Sequence, residues 1–346
     1  MRGVIASLAI FFSLVALAAP APAAPLRPGQ FASREAVLAW MNDYRHHREP
    51  GHVPEAVHAI SQLGIFKDPE NAGAFVGFIA GVIATNPGPA DELISRMLPL
   101  PPEDQWAIVQ AIAYSGIPGW KPLLTRFAER LPARRLMVEK YLSGQLATLD
   151  QAGFEKSPGT FQKIGGFLGL HKEKKPVLLT PNAALLDVLW GYYMATGAFN
   201  PAISDIIALL PLSKDRDDVE RLTLGGMAKY TLAANGARDA KLLAMLKSVA
   251  KYYPKNNKAI IEEVTEAAET VDLARLRKEA LASIEELKRK GPGYKRDISM
   301  WGQIGEGALA LGCIGAAAAG QIEFGIPCVV GGAMGSAGLH YWETQK

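Results

Sequence analysis

Residues 75–100, FVGFIAGVIATNPGPADELISRMLPL, carry the strongest fold signal in the chain, because the same order of features returns in residues 189–212, LWGYYMATGAFNPAISDIIALLPL. Each stretch has an apolar segment, a loop after Ala-Thr, and an amphipathic segment that ends in Leu-Pro-Leu. Ala84 matches Ala195 and Leu98 matches Leu210, which places the copies 111 and 112 residues apart. We predict an internal repeat of helix pairs, with chance similarity between amphipathic helices as the alternative.

Helix start and stop signals recur along the chain, whereas strand signals barely occur. Proline follows a capping or turn residue at Asp68-Pro69, Thr180-Pro181 and Asn200-Pro201, which suits the first turn of a helix. Glycines that can accept a left-handed conformation stand at the expected helix ends, at Gly116, Gly144, Gly197 and Gly236. We therefore expect residues 33–288 to be helical, with few or no strands.

The repeated units resemble helical repeat proteins of the HEAT class, and also exported bacterial proteins that are built from all-helical repeats. The resemblance rests on two short windows, residues 75–80 (FVGFIA) and 189–193 (LWGYY). It implies an all-α fold in which antiparallel helix pairs stack into an α-solenoid-like array, since one pair cannot bury its apolar faces alone. It implies no known active site.

The order of these features predicts five regions. Residues 24–150 form a first helical half, and residues 181–296 form a related second half that ends in a charged helix. Residues 151–180 form a linker, because glycine, proline and a run of charges interrupt the helical pattern there. Residues 297–346 form a Gly/Ala-rich helical hairpin, and residues 1–23 precede the mature chain.

The first 23 residues have the three parts of a secretory signal peptide. Arg2 gives a positive start, residues 4–18 form an apolar run, and residues 19–24 (APAPAA) offer an Ala-x-Ala cleavage site. The apolar run is shorter than the roughly 20 residues of a membrane span. We expect cleavage before Ala24, against an uncleaved anchor helix, and export to the periplasm or to a membrane-associated place in the cell envelope.

The charge balance of the predicted mature chain is close to neutral. Cleavage removes Arg2 and no acid from the 37 basic and 34 acidic residues of the full sequence, which leaves 36 and 34. No block of basic residues is long enough to suggest a nucleic-acid partner.

Residues 305–342 contain neither lysine nor arginine, and their only acids are Glu306 and Glu323. A turn near residues 321–327 predicts a hairpin with two arms of about 17 residues, at the short limit for a membrane span. Trp301, Tyr341 and Trp342 favour a membrane interface, whereas the basic residues at 288–296 and the low apolarity of alanine and glycine oppose it. Membrane contact and a buried or homo-oligomerising hairpin both stay open.

Cys313 and Cys328 are the two cysteines of the chain. In an exported protein such a pair favours a disulfide over a metal or redox site. We predict that these cysteines form a disulfide within the C-terminal hairpin.

Four of the six histidines, His46, His47, His52 and His58, lie close together in the sequence with Glu49 and Glu55 among them. Imidazole and carboxylate groups are ligands for zinc, copper or nickel. No His-x-x-x-His spacing places two rings on one helical turn, so the alternative is a polar surface. The four histidines are a weak metal-site hypothesis, and no cofactor is expected.

Motifs for catalytic nucleophiles are incomplete in this sequence. Ser248-Val249-Ala250-Lys251 matches Ser-x-x-Lys but lacks a Lys-Thr-Gly partner. A glycine stripe at Gly73, Gly77 and Gly81 predicts close packing against another helix rather than chemistry.

The sequence therefore favours a non-catalytic interaction or scaffold protein of the cell envelope, with a protein partner bound in the groove of a helical array. Two alternatives stay open. The first is an envelope hydrolase whose site is assembled from scattered residues. The second is a membrane-associating or self-assembling protein that acts through residues 305–342.

Overall fold

The computed structural model describes residues 30–151, 179–253 and 255–270, with residues 275, 276, 278, 279 and 282 beyond them. No strand occurs among these residues, so the all-α prediction is confirmed for the part of the chain described. The predicted signal peptide (1–23), residues 152–178 of the linker, and the hairpin (297–346) with Cys313 and Cys328 lie outside the described residues.

Twelve α-helices lie within the described ranges. Seven come before residue 152: α1 (Arg34–Tyr44), α2 (Val53–Gln62), α3 (Gly73–Thr85), α4 (Ala90–Met97), α5 (Gln105–Tyr114), α6 (Trp120–Phe127) and α7 (Arg135–Leu142). Five come after residue 178: α8 (Ala183–Thr196), α9 (Ser204–Leu209), α10 (Val219–Gly236), α11 (Ala240–Ala250) and α12 (Lys255–Thr270).

Three of the four predicted glycine stops are confirmed. Gly116, Gly144 and Gly197 follow α5, α7 and α8 with φ values of 67°, 72° and 61°. Glycine adopts this left-handed conformation without the steric penalty of a Cβ atom, so it ends a helix readily. Gly236 differs, because it is the last residue of α10 and has a helical conformation.

The predicted helix start at Asp68-Pro69 is wrong. The Asp68 carboxylate accepts hydrogen bonds from the backbone N–H groups of Glu70 and Asn71, which closes a turn instead. Helix α3 begins four residues after Pro69, at Gly73.

The start predicted at Thr180-Pro181 is displaced by only two residues. Asn182 is the N-cap of α8, and its side-chain oxygen accepts a hydrogen bond of 2.8 Å from the backbone N–H of Leu185. This bond satisfies one of the free N–H groups in the first turn.

Helices α3 and α8 form the centre of the hydrophobic core. All residues of α3 from Gly73 to Ile83 are buried, and so are those of α8 from Leu185 to Thr196. Helix α5 also packs on α3, α1 packs on α8, and α10 to α12 extend the same core. Although α3 carries no charge, no helix among the described residues has the length and apolarity of a membrane span.

The glycine stripe of α3 lies directly on α8. A Cβ atom on Gly73 would lie 2.7 Å from the Ala184 carbonyl oxygen, and one on Gly81 would lie 2.9 Å from the Tyr192 carbonyl oxygen. Because the contact positions increase together along both chains, the two helices run parallel. The close helix packing predicted for this stripe is confirmed.

Candidate functional site

The four histidines of the metal-site hypothesis are not brought together as one group, and each ring has its own surroundings. His47 Nδ1 lies 3.0 Å from Asp43 and His52 Nδ1 lies 3.3 Å from Glu49, while His58 Nε2 donates to the carbonyl oxygen of Arg96. His46 is exposed. Among the described residues, no group of three or more His, Cys, Asp or Glu side chains is placed to hold a metal ion.

Three buried polar side chains meet where α1, α8 and α11 approach one another. Arg45 Nη2 lies 3.0 Å from Asp239 Oδ2, and the Tyr193 hydroxyl donates to the same oxygen at 2.6 Å. Asp239 is also the N-cap of α11, because its second oxygen accepts from the backbone N–H groups of Lys241 and Leu242. This Arg45–Tyr193–Asp239 network joins three helices. Both oxygens of the Asp239 carboxylate are occupied by groups of the protein itself.

The pKa values in this network follow from its contacts. Burial alone would raise the pKa of Asp239, but the hydrogen bonds from Tyr193 and the α11 backbone and the charge of Arg45 outweigh it, so the pKa is lowered. Burial raises the pKa of Tyr193, and its hydrogen bond to Asp239 raises it further. Both shifts favour an ionised Asp239 beside a neutral Tyr193. This pair therefore has a structural role in the fold.

A second buried acid, Asp187, lies on α8 beside the glycine stripe and is fully inaccessible to solvent. Its charge acts on Arg34, whose guanidinium also donates to the Asn71 carbonyl oxygen at 2.9 Å. Burial lowers the pKa of Arg34, while the nearby charge of Asp187 opposes that change.

A cavity of about 140 Å³ lies between α3, α5 and the start of α8, and we refer to it as the α3–α5–α8 cavity. Helix α3 contributes Gly73 and Val76 to its wall, and Pro69 lies just before them. Helix α5 contributes Trp106, Gln110 and Tyr114, which recur every four residues and therefore share one helix face. The segment that leads into and forms α8 contributes Leu179, Thr180, Asn182, Ala184, Leu185 and Val188.

The described residues that line the α3–α5–α8 cavity carry no charge. Among them Val76, Leu185 and Val188 are buried, whereas Pro69 and Thr180 are exposed. Trp106 uses its indole N–H to donate to the Phe66 carbonyl oxygen at 3.0 Å, so only its ring surface is left for an occupant. The site therefore offers an occupant apolar surface and neutral polar groups in similar amounts.

Tyr114 is the buried polar residue of the cavity wall, with 5% of its surface exposed. Burial raises the pKa of its hydroxyl, and hydrogen bonding with Gln110 and Tyr141 opposes that shift. Tyr114 is thus held neutral and fixed in place by two neighbours on α5 and α7. It can orient a bound group but is not activated for proton transfer.

The sequence did not predict this cavity, because its walls come from three helices that are distant along the chain. One signal was present. The Trp106, Gln110 and Tyr114 face of α5 is wide and partly polar, whereas a face that only packs in a core is usually aliphatic.

Comparison with known proteins adds no relative: no protein-family model matches the chain, and neither a curated protein nor a solved structure matches it significantly.

Proposed function

We propose that this protein is a non-catalytic interaction protein of the cell envelope that receives a partner protein at the α3–α5–α8 cavity. The observation that carries the proposal is the cavity itself, whose described lining residues are uncharged and include the exposed Pro69 and Thr180. The place in the envelope rests on the predicted signal peptide.

The size of the cavity supports recognition of one side chain. Pockets for drug-sized ligands and cofactors have volumes of roughly 300–1,000 Å³. A volume of about 140 Å³ is well below that range. It is close to the engineered apolar cavity of about 150 Å³ that binds benzene. One aromatic or branched side chain of a partner fills such a space, and the partner's backbone stays outside.

The buried ionisable groups support a non-catalytic role. Arg45 and Asp239 join helices α1 and α11, and the charge of Asp187 acts on Arg34. None of these four residues lines the α3–α5–α8 cavity. Their charges are engaged in holding the helices together, whereas a hydrolytic site needs an acid, base or nucleophile directed toward substrate.

We also propose that the helix pairs form an α-solenoid-like array in two related halves. The support is the parallel packing of α3 on α8, because equivalent helices of adjacent repeats run parallel in such arrays. In this arrangement the α3–α5–α8 cavity lies where the two halves meet.

The test is retention of a partner from the envelope fraction by immobilised mature protein. Ala184→Phe places a ring in the cavity, and Ala183→Phe is the matched control, since Ala183 is the partly exposed neighbour that does not line it. We expect wild type and Ala183→Phe to retain the same protein, and Ala184→Phe to lose it. Thr180→Trp, at an exposed residue of the lining, is a second blocking variant that leaves the core unchanged.

Two outcomes contradict the proposal. Equal retention by Ala184→Phe and by wild type, with cooperative unfolding of both, places the contact elsewhere. In the second outcome, deletion of residues 297–346 abolishes partner retention and the cavity variants have no effect. That result supports the alternative in which the C-terminal region acts by membrane contact or self-assembly.

A further inference from the structure

We propose that the occupant of the α3–α5–α8 cavity is an uncharged aromatic side chain with a hydrogen-bond acceptor at its edge, a tyrosine of the partner. This inference rests on the proposed function, because it names the chemistry of the group that the partner inserts. It follows from the volume, the charge and the hydrogen-bond donors of the lining.

The volume of the cavity and the Trp106 ring in its wall favour an occupant with a single aromatic ring. A space of about 140 Å³ accepts one six-membered ring. Trp106 offers its ring surface, because its N–H is engaged with the Phe66 carbonyl oxygen. Aromatic rings pack favourably in edge-to-face and offset geometries, so an aromatic occupant gains contacts with Trp106 that an aliphatic one does not.

The lining also selects against charge. None of the described residues of the cavity wall carries a carboxylate, a lysine, an arginine or a histidine. A carboxylate or an ammonium buried against these residues loses its water without gaining an opposite charge from them, which is costly. These residues therefore disfavour insertion of Asp, Glu, Lys or Arg.

The polar groups at the mouth offer donors. The side-chain oxygen of Asn182 is engaged with the Leu185 N–H, so its NH2 group is what it can offer a ligand. Thr180 adds an exposed hydroxyl. An occupant that carries an acceptor oxygen satisfies these groups, and a tyrosine hydroxyl does so in a way that phenylalanine cannot.

The test uses four probes that share one ring: benzene, phenol, benzoate and benzylammonium. Binding to the mature protein is measured by titration and by the rise in unfolding temperature. We expect phenol to bind at least about 3-fold more tightly than benzene, and both charged probes at least about 10-fold more weakly than phenol. The capped peptide acetyl-Gly-Tyr-Gly-amide should compete with phenol, and its phenylalanine counterpart should compete less well.

A substitution at Asn182, the N-cap of α8, changes the polarity of the cavity opening without removing the cap. Asn182→Asp keeps an N-cap acceptor for α8 but replaces the NH2 donor by a carboxylate. We expect it to admit benzylammonium, which the uncharged residues of the wild-type lining disfavour. Ala184→Phe should abolish binding of all four probes, and Ala183→Phe should not.

The outcomes distinguish this inference from the function on which it rests. Charged probes that bind as well as phenol overturn the inference, even if Ala184→Phe still releases the partner. No probe binding, with the partner still released by Ala184→Phe, leaves the interaction function standing and also overturns the inference. Phenol binding without competition by the tyrosine peptide indicates a free small aromatic molecule and overturns the assignment to a partner's side chain.

Discussion

Gly77 on α3 and Gly191 on α8 occupy matching positions at the crossing of the two central helices. A Cβ atom on Gly77 would overlap the carbonyl oxygen of Val188, and one on Gly191 would overlap the carbonyl oxygen of Ala74. Val188 and Ala74 each lie three residues before the glycine of their own helix, so the contact is reciprocal. Two parallel helices related by a local two-fold axis pack in this way, with backbone directly on backbone.

The reciprocal contact predicts a large effect of one added methyl group. Gly77→Ala or Gly191→Ala forces α3 and α8 apart, and we expect each to lower the free energy of unfolding by about 2–3 kcal/mol. Gly88→Ala is the control, because no atom lies within 4 Å of its added Cβ. Its effect should stay within about 0.5 kcal/mol. Urea unfolding measures all three, and a small loss for both central glycines would contradict the close contact.

The helical content and the packing of the glycine stripe could be predicted from sequence, because both depend on local patterns. Glycine every four residues along Gly73, Gly77 and Gly81 leaves one face of α3 without side chains, and only another backbone fills such a face. The sequence could not identify α8 as that backbone. The partner of a helix face is decided by contacts between segments that are distant along the chain.

The two Leu-Pro-Leu motifs match in sequence but not in backbone conformation. Leu98 has extended backbone angles (φ −102°, ψ 150°) after α4, whereas Leu210 is helical (φ −55°, ψ −39°) and begins a 3-10 turn. In the second copy Gly225 of α10 lies directly against the backbone of Leu212 and Ser213. The backbone conformation of the motif thus differs between the two copies although its three residues are the same.

The Arg45–Tyr193–Asp239 network gives a second prediction. Tyr193→Phe removes a 2.6 Å hydrogen bond to a carboxylate and should cost about 1.5–3 kcal/mol of stability. Arg45→Met leaves the buried carboxylate without its cation and should cost about 3–5 kcal/mol. The losses should not add in the double variant, because both groups contact the same Asp239 oxygen. Additive losses in a double-mutant cycle would show that the three groups do not act as one unit.

The chain leaves and re-enters the described fold at one place, which gives a third prediction. The Leu179 backbone N–H donates to the Gln151 carbonyl oxygen at 3.2 Å, so the ends of residues 152–178 are already held together. Replacing those residues by a six-residue Gly/Ser linker should therefore preserve the described helices. The shorter loop lowers the entropic cost of closure by about 1 kcal/mol. Circular dichroism and urea unfolding test this, and a loss of several kcal/mol would show that the segment packs on the fold.

The lowered pKa of Asp239 predicts how stability depends on pH. Because the folded pKa lies below the unfolded value of about 3.9, the ionised carboxylate stabilises the protein fully above about pH 5. This contribution is lost as the pH falls through the folded pKa, when the carboxylate takes up a proton. Asp239→Asn keeps an N-cap for α11 but cannot ionise. The difference in unfolding free energy between wild type and Asp239→Asn should therefore be constant from pH 7 to 5 and should shrink from pH 4 to 2.

The control for this pH series is Asp217→Asn. Asp217 is exposed and forms no ion pair with another described residue. Its variant should differ from wild type by only about 0.5 kcal/mol or less at pH 7, as surface substitutions usually do. Unfolding by urea at each pH gives both differences on the same scale, and subtraction removes the titration of all the other acids. A wild type–Asp239→Asn difference that grew as the pH fell would mean that burial dominates and that the folded pKa is raised, because the sign of the slope reports which state binds the proton more tightly.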